Sequence, residues 1–111
     1  MNNPKYTKYK DTARQNRFNL KAENGEKILH SEGYVSSSGC DRGITSVRTN
    51  SPIDDRYDRR KSTNGQYYFV LKASNGEIVG TSETYTTSVS RENGIDAVKR
   101  VGPSAPVDDI S

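Results

Sequence analysis

The sequence is short of almost every residue that announces a chemistry. It has one cysteine, one histidine, one methionine and no tryptophan in 111 residues. One cysteine cannot close an intramolecular disulfide, and with a single histidine it cannot build a structural zinc site. No apolar run approaches the roughly 20 residues of a membrane-spanning helix. Residues Met1–Asn24 contain no apolar stretch of the secretory kind, so a cytoplasmic location away from membranes is expected. An excess of one charge is lacking too: 17 basic and 14 acidic residues leave a net charge of +3 and a pI near 9.0. Gly-rich phosphate loops, His-Glu-x-x-His and Gly-x-Ser-x-Gly are all missing. The expectation is a non-enzymatic protein without a cofactor.

Large aliphatic residues and Phe fill about 17% of positions, and mean hydropathy is -0.97. That supply of apolar side chains is thin for a core, but the small net charge does not drive disorder. Length predicts one domain.

What the sequence does contain is a repeat. Shifted by 51 residues, Tyr6–Pro52 falls on Tyr57–Pro103 without a gap, with 19 identities in 47 positions. A shorter echo follows, Pro52-Ile53-Asp54-Asp55 against Pro106-Val107-Asp108-Asp109. Repeat one covers about residues 6–55 and repeat two about 57–110. Such a period identifies one supersecondary unit used twice.

Each unit reads as three strands and a helix. Arg17–Ala22 and Tyr68–Ala73 alternate with period two, as half-buried strands do. Asn24-Gly25 and Asn75-Gly76 follow, and Asn-Gly favours a type I′ hairpin turn. Return strands are expected over Glu26–Glu32 and Glu77–Glu83, and first strands over Lys5–Lys10 and Arg56–Lys61. Ser36 or Ser37, and Thr87 or Ser88, are candidate helix N-caps. Ile44 with Val47, and Ile95 with Val98, lie three apart on one helix face. Gly43 and Gly94 inside these helices predict a close approach of helix to sheet, and Pro52 and Pro103 end the helices.

The expected core is Phe18, Leu20, Ala22, Ile28, Ile44, Val47, Phe69, Leu71, Ala73, Val79, Ile95 and Val98. About six core side chains per half are too few for 50 residues to fold alone. The two halves should therefore share one sheet, with helices on one face and Arg17, Asn19, Lys21 and Lys72 on the wet face. Residues 1–4 and 102–106 are expected to be mobile, and Val107–Ile110 to form a last strand.

The frames Phe-Asn-Leu-Lys-Ala-x-Asn-Gly-Glu at 18–26 and Phe-Val-Leu-Lys-Ala-x-Asn-Gly-Glu at 69–77 resemble a known family. So do Ser-Glu-x-Tyr at 31–34 and 82–85, Gly-Ile-x-x-Val at 43–47 and 94–98, and Thr-Asn-Ser-Pro at 49–52. The chain is similar, from about Tyr6 to Ile110, to the YegP-like family of small bacterial proteins. The resemblance implies an α+β fold of tandem β(3)-α-β units, a single antiparallel sheet, two helices packed on it and exchanged C-terminal strands. It implies that single-copy members assemble the same sheet as dimers. It carries over no activity, cofactor or site residue.

Candidates for chemistry are few. His30 reads as a strand-surface residue, and Cys40 as a buried structural thiol, since Arg91 replaces it in repeat two. Glu32 and Glu83 could do acid–base work only if they met across the repeats. Tyr34 and Tyr85 read as rings packed between strand and helix. The leading reading is an interaction or structural module with an unknown partner. The alternative is a nucleic-acid binder using Arg17, Lys21, Tyr68 and Lys72 on a basic sheet face, and small-ligand binding stays open behind them. The tandem copies satisfy each other, so a monomer is expected.

Overall fold

A computed structural model describes all residues 1–111. Seven strands and two helices occur in the order β1 Lys5–Lys10, β2 Asn16–Lys21, β3 Lys27–His30, α1 Ser37–Asn50, β4 Tyr57–Lys61, β5 Tyr67–Lys72, β6 Ile78–Thr81, α2 Ser88–Val101 and β7 Val107–Asp109. They form one sheet in the order β4-β5-β6-β3-β2-β1-β7. The halves join where β3 and β6 run antiparallel through His30 and Thr81. These residues are equivalent in the two repeats, so a pseudo-two-fold axis passes between them.

In β2 and β5 alternate apolar residues share the face under the helices. Phe18 and Leu20, with Phe69 and Leu71, point under the helices and are wholly buried. The helices lie against this face with Cys40, Ile44 and Val47, and with Ile95, Val98 and Val101. Ser36 and Thr87 are the N-caps, their hydroxyls accepting from the N–H groups of Gly39 and Ser90. Gly43 has the packing reason expected of it. A Cβ there would stand 2.5 Å from the Tyr34 hydroxyl and 3.0 Å from Phe18, and Gly94 faces Tyr85 and Phe69 in the same way.

The core gains members that periodicity missed. Tyr6 and Tyr57 lie inside it, 0% and 7% exposed. Their hydroxyls donate to the carbonyl oxygens of Gly102 and Ser51, at 2.6 and 2.7 Å. Each tyrosine thus ties the first strand of one repeat to the helix end of the other. Leu29, Val70, Ala97 and Ala105 are buried too, whereas Ala73 and Val79 are only half-buried.

Four expectations need correction. The sheet is mixed, because β7 runs parallel to β1, with Tyr6 opposite Val107 and Lys8 opposite Asp109. Segment 102–106 is anchored: Ala105 is core, and the Pro106 carbonyl accepts from the Tyr6 N–H at 2.8 Å. Asn19 faces away from the helices, but it is only 5% exposed.

The Asn-Gly turns are not type I′. Only Gly25 and Gly76 have positive φ, while Asn24 and Asn75 do not. The Gly25 N–H donates to Ala22 O and the Ala22 N–H to Glu26 O, giving a three-residue loop with glycine in the left-handed position. A register shift between Leu20 and Lys21 goes with it.

The loop between β4 and β5 uses the same device, with Gly65 at φ 84°. The loop between β1 and β2 puts Arg14 in that position, at φ 62°. An L side chain there costs about 1–2 kcal/mol, partly offset by the smaller unfolded-state entropy of a non-glycine residue. Arg14→Gly should therefore raise the unfolding free energy by about 1 kcal/mol, read from urea denaturation at neutral pH. An unchanged midpoint would show that the position carries no strain.

Candidate functional site

The face of the sheet away from the helices carries the sequence-derived binding candidates, and the structure divides them. Arg17 and Lys21 lie on β2, and their equivalents Tyr68 and Lys72 lie on β5, with β3 and β6 between. Arg17 Nε is 2.5 Å from Asp11 Oδ2. Lys72 Nζ is 3.3 Å from Asp58 Oδ2, which Arg60 also holds at 2.9 Å. The arginine hydrogen bonds lower the carboxyl pKa of both Asp11 and Asp58, so these acids stay ionised and neutralise the cations beside them. Of the four candidates only Lys21 is an unpaired cation, and Tyr68 is a half-buried ring beside Arg60. The face is therefore less basic than its sequence, because ion pairing is set across strands.

The two edges of the sheet differ more than the two halves do. β1 is covered by β7, and Lys5 Nζ reaches Asp108 Oδ2 at 2.9 Å. Lys8, 3% exposed, lies on the helix side and reaches Asp41 at 2.8 Å and Asp109 at 3.9 Å.

At the other edge β4 pairs only with β5. The segment that echoes β7 is a short 3-10 turn, Asp54–Arg56, instead of a strand. The reason is covalent. That segment runs straight into β4, and a parallel pairing needs a crossover of a dozen or more residues. Asp54 supplies only part of what β7 supplies: its carbonyl takes the Tyr57 N–H, and its carboxylate lies 3.1 Å from Arg59.

Beyond it the edge is open. Phe69, opposite Arg59, donates its N–H to the Ser82 hydroxyl and accepts the Ser82 N–H at its carbonyl, so Arg59 turns its own N–H and C=O outward. The same geometry turns Lys61 outward, since Tyr67 bonds to Tyr85. Sequence reading did not single out Arg59 and Lys61 as a strand edge. The echo of Pro52–Asp55 by Pro106–Asp109 was the available signal, but it could not show that only one copy becomes a strand.

The other candidates stand apart from one another. His30 is at the axis opposite Thr81, on the surface of the sheet. Cys40 is fully buried, and that burial raises its thiol pKa, which removes the thiolate that nucleophilic work requires. Glu32 and Glu83 are exposed and enter no ion pair. Ser31 and Ser82 are structural: each hydroxyl accepts from a strand N–H, of Phe18 or Phe69, at 2.9 Å. Tyr34 and Tyr85 pack over Gly43 and Gly94, and burial raises both phenol pKa values. No three His, Cys, Asp or Glu side chains stand close enough to hold a metal ion, and no helix is long and apolar enough to cross a membrane.

These features define a class: a tandem-repeat α+β scaffold with exchanged C-terminal segments and one bare sheet edge. A family model described as a domain of unknown function, DUF1508, matches the chain twice, at residues 11–58 and 62–109. The chain belongs to that family. It is 50% identical over 100 residues to UPF0339 protein YegP of Escherichia coli K12, covering 90% of this chain and 91% of that one. It is 44% identical over 106 residues to a UPF0339 protein of Shewanella oneidensis, covering 96% of each. The solution structure of E. coli yegP, a protein of unknown function, matches 99% of this chain and 95% of its own at a TM-score of 0.92 and 45% identity. That of the Shewanella oneidensis UPF0339 protein SO3888 matches 96% and 90% at 0.90 and 44%. The relatives and solved structures are themselves uncharacterised, so the comparisons give the family and the fold but no biochemical function.

Proposed function

We propose that this protein is a non-enzymatic interaction module of the cytoplasm that binds an extended acidic segment along the open edge of β4. One observation carries the reading: a nearly two-fold molecule has β7 on one edge and only the short Asp54–Arg56 turn at the start of the other. Strand addition at a free edge draws affinity from main-chain hydrogen bonds and specificity from alternate side chains. The chemistry of the partner follows from β7, whose Asp108 and Asp109 answer Lys5 and Lys8. Along β4 the free stretch carries Arg59, Arg60 and Lys61. Asp54 and Glu92 already pair Arg59, and Asp58 pairs Arg60, so main-chain bonds carry the affinity and Lys61, with no carboxylate partner, suits an acidic side chain. Charged side chains along an edge hinder its pairing with a second copy, which fits a monomer.

The scattered positions of His30, Cys40, Glu32 and Glu83 support the non-enzymatic part. Single-stranded nucleic acid on the open face is the weaker reading, because Arg17 and Lys72 are already neutralised.

The test is a titration of the 15N-labelled protein with the peptide Ser-Ala-Pro-Val-Asp-Asp-Ile-Ser. The expected result is saturable shifts at Arg59, Arg60 and Lys61 that weaken with added salt. Arg59→Pro should abolish them without unfolding the protein, since an edge N–H that faces solvent can be lost. Absent shifts, or shifts confined to Lys5–Lys10, would overturn the proposal. Shifts from an oligonucleotide centred on Tyr68 and Lys21 would move the function to the open face.

A further inference from the structure

At the opposite end of the sheet from β4, the open face holds a shallow hollow of about 510 Å³ between β1, β2, β3 and the chain beyond β7. Its floor is the cross-strand pair Thr7 and Asn19. Both side chains are more than nine-tenths buried, 7% and 5% exposed. Yet Thr7 Oγ1 and Asn19 Oδ1 have no hydrogen-bond partner. Buried polar atoms are nearly always paired, so two orphans side by side on one floor need an explanation.

The rim supplies a second observation. Lys10, Lys21 and Lys27 line the hollow, and none of them is in an ion pair. Elsewhere on this face Lys5, Arg17, Arg60 and Lys72 all have carboxylate partners. Ile110 closes one side, and the nearby Asp108 is already held by Lys5.

Repeat two serves as an internal control. The equivalents of Thr7, Asn19 and Lys27 are Asp58, Val70 and Ile78. There the floor carries no orphaned polar atom, the carboxylate sits on the cations, and Val70 is 2% exposed. The same fold therefore closes this floor with a methyl group when nothing has to bind. Repeat one keeps two unpaired oxygens under three free cations.

We infer that this hollow binds a small hydroxylated anion of the sugar-phosphate class. The anionic group would sit among the three ammonium groups, with the Thr7 hydroxyl donating to it. A ligand hydroxyl would donate to Asn19 Oδ1. Charge alone would accept any phosphate; the buried acceptor selects one that carries a hydroxyl donor. This site lies apart from the β4 edge and stands independently of it.

The experiment is an NMR titration of the whole chain with ribose 5-phosphate, inorganic phosphate and ribose in turn. Ribose 5-phosphate should shift Thr7, Asn19 and Lys21 saturably, and about tenfold more tightly than inorganic phosphate, the value of one hydrogen bond in such a site. Ribose alone should shift nothing. Asn19→Val, which copies repeat two, should lose that tenfold advantage while raising the melting temperature. Lys21→Gln with Lys27→Gln, on the rim of the hollow, should abolish binding with the fold intact. The inference fails if ribose 5-phosphate gives no saturable shift at millimolar concentration. It fails equally if Asn19→Val binds as tightly as the parent, or if inorganic phosphate binds as well as the sugar phosphate.

Discussion

Leu29→Ala will lower the unfolding free energy by about 2–5 kcal/mol, and Gly80→Leu will destabilise the protein as well, yet the two sites exchanged will coexist. Leu29 is wholly buried, and truncating such a leucine forfeits its transfer free energy and leaves a cavity. Against the 5–15 kcal/mol that holds a small domain, that is a large share. The partner that shapes this side chain is a glycine. A Cβ on Gly80 would stand 2.6 Å from Leu29 Cδ2 and 2.7 Å from its Cγ. Leu29 and Gly80 are the same position in the two repeats, 51 residues apart, and they meet at the pseudo-two-fold axis.

Two leucines cannot share that space, and two glycines would leave it empty. Duplication into one chain lets one copy supply the bulk and the other the room. Gly80→Leu alone overpacks, at about 1–3 kcal/mol or more. In Leu29→Gly with Gly80→Leu, the leucine enters from the other side of the axis into space of nearly the same shape. The double variant should therefore be more stable than the summed single losses predict, by at least about 1 kcal/mol. Additive losses in urea denaturation would show that the two sites do not share one space.

The second large effect is alkaline. Burial raises the phenol pKa of Tyr6 and of Tyr57 far above 10.0, with Arg48 opposing it weakly at Tyr6. In the unfolded chain these phenols ionise near 10. Above that pH the unfolded state sheds two protons that the folded state keeps, so the folded state loses ground as pH rises. The stability they allow is fully present below about pH 10. Above it each phenol removes about 1.4 kcal/mol per pH unit, together nearly 3.

Tyr57→Phe separates this from a general charge effect. At pH 7 the variant should be less stable by about 1–2 kcal/mol, because the Ser51 carbonyl loses its donor. Near pH 11 the difference should shrink, since phenylalanine has no proton to lose. A constant gap between parent and variant from pH 7 to 11 would refute the assignment.

Much of this architecture was legible in the sequence. The 51-residue repeat, the strands around Phe18 and Phe69, and the helix faces of Ile44 with Val47 and Ile95 with Val98 all followed from local period, and local period survives folding. Tyr6 was missed as core because Lys-Tyr-Thr-Lys-Tyr places aromatics three apart, which suits neither face of a strand. The turn type was missed because Asn-Gly serves both the two-residue and the three-residue loop, and the bulge beside Lys21 decides between them. Leu29 could not be set against Gly80, because that contact lies across the repeats.

Functional reading depended still more on tertiary placement. Arg17, Lys21, Tyr68 and Lys72 were recognisable as a basic, aromatic set. Which of them remain free cations depends on Asp11 and Asp58, brought alongside by pairing between strands. The bare edge of β4 depends on a covalent fact, that the echo of β7 leads directly into the strand it would have to cover.

Amide hydrogen exchange at Lys8 and Arg59 tests the central claim most directly, for these are one position in the two repeats. The account predicts that Lys8, behind β7, is protected, that Arg59 exchanges fast in the free protein, and that the acidic peptide slows Arg59 alone. Equal protection of the two in the free protein, or an Arg59 amide that no acidic peptide slows, would contradict it.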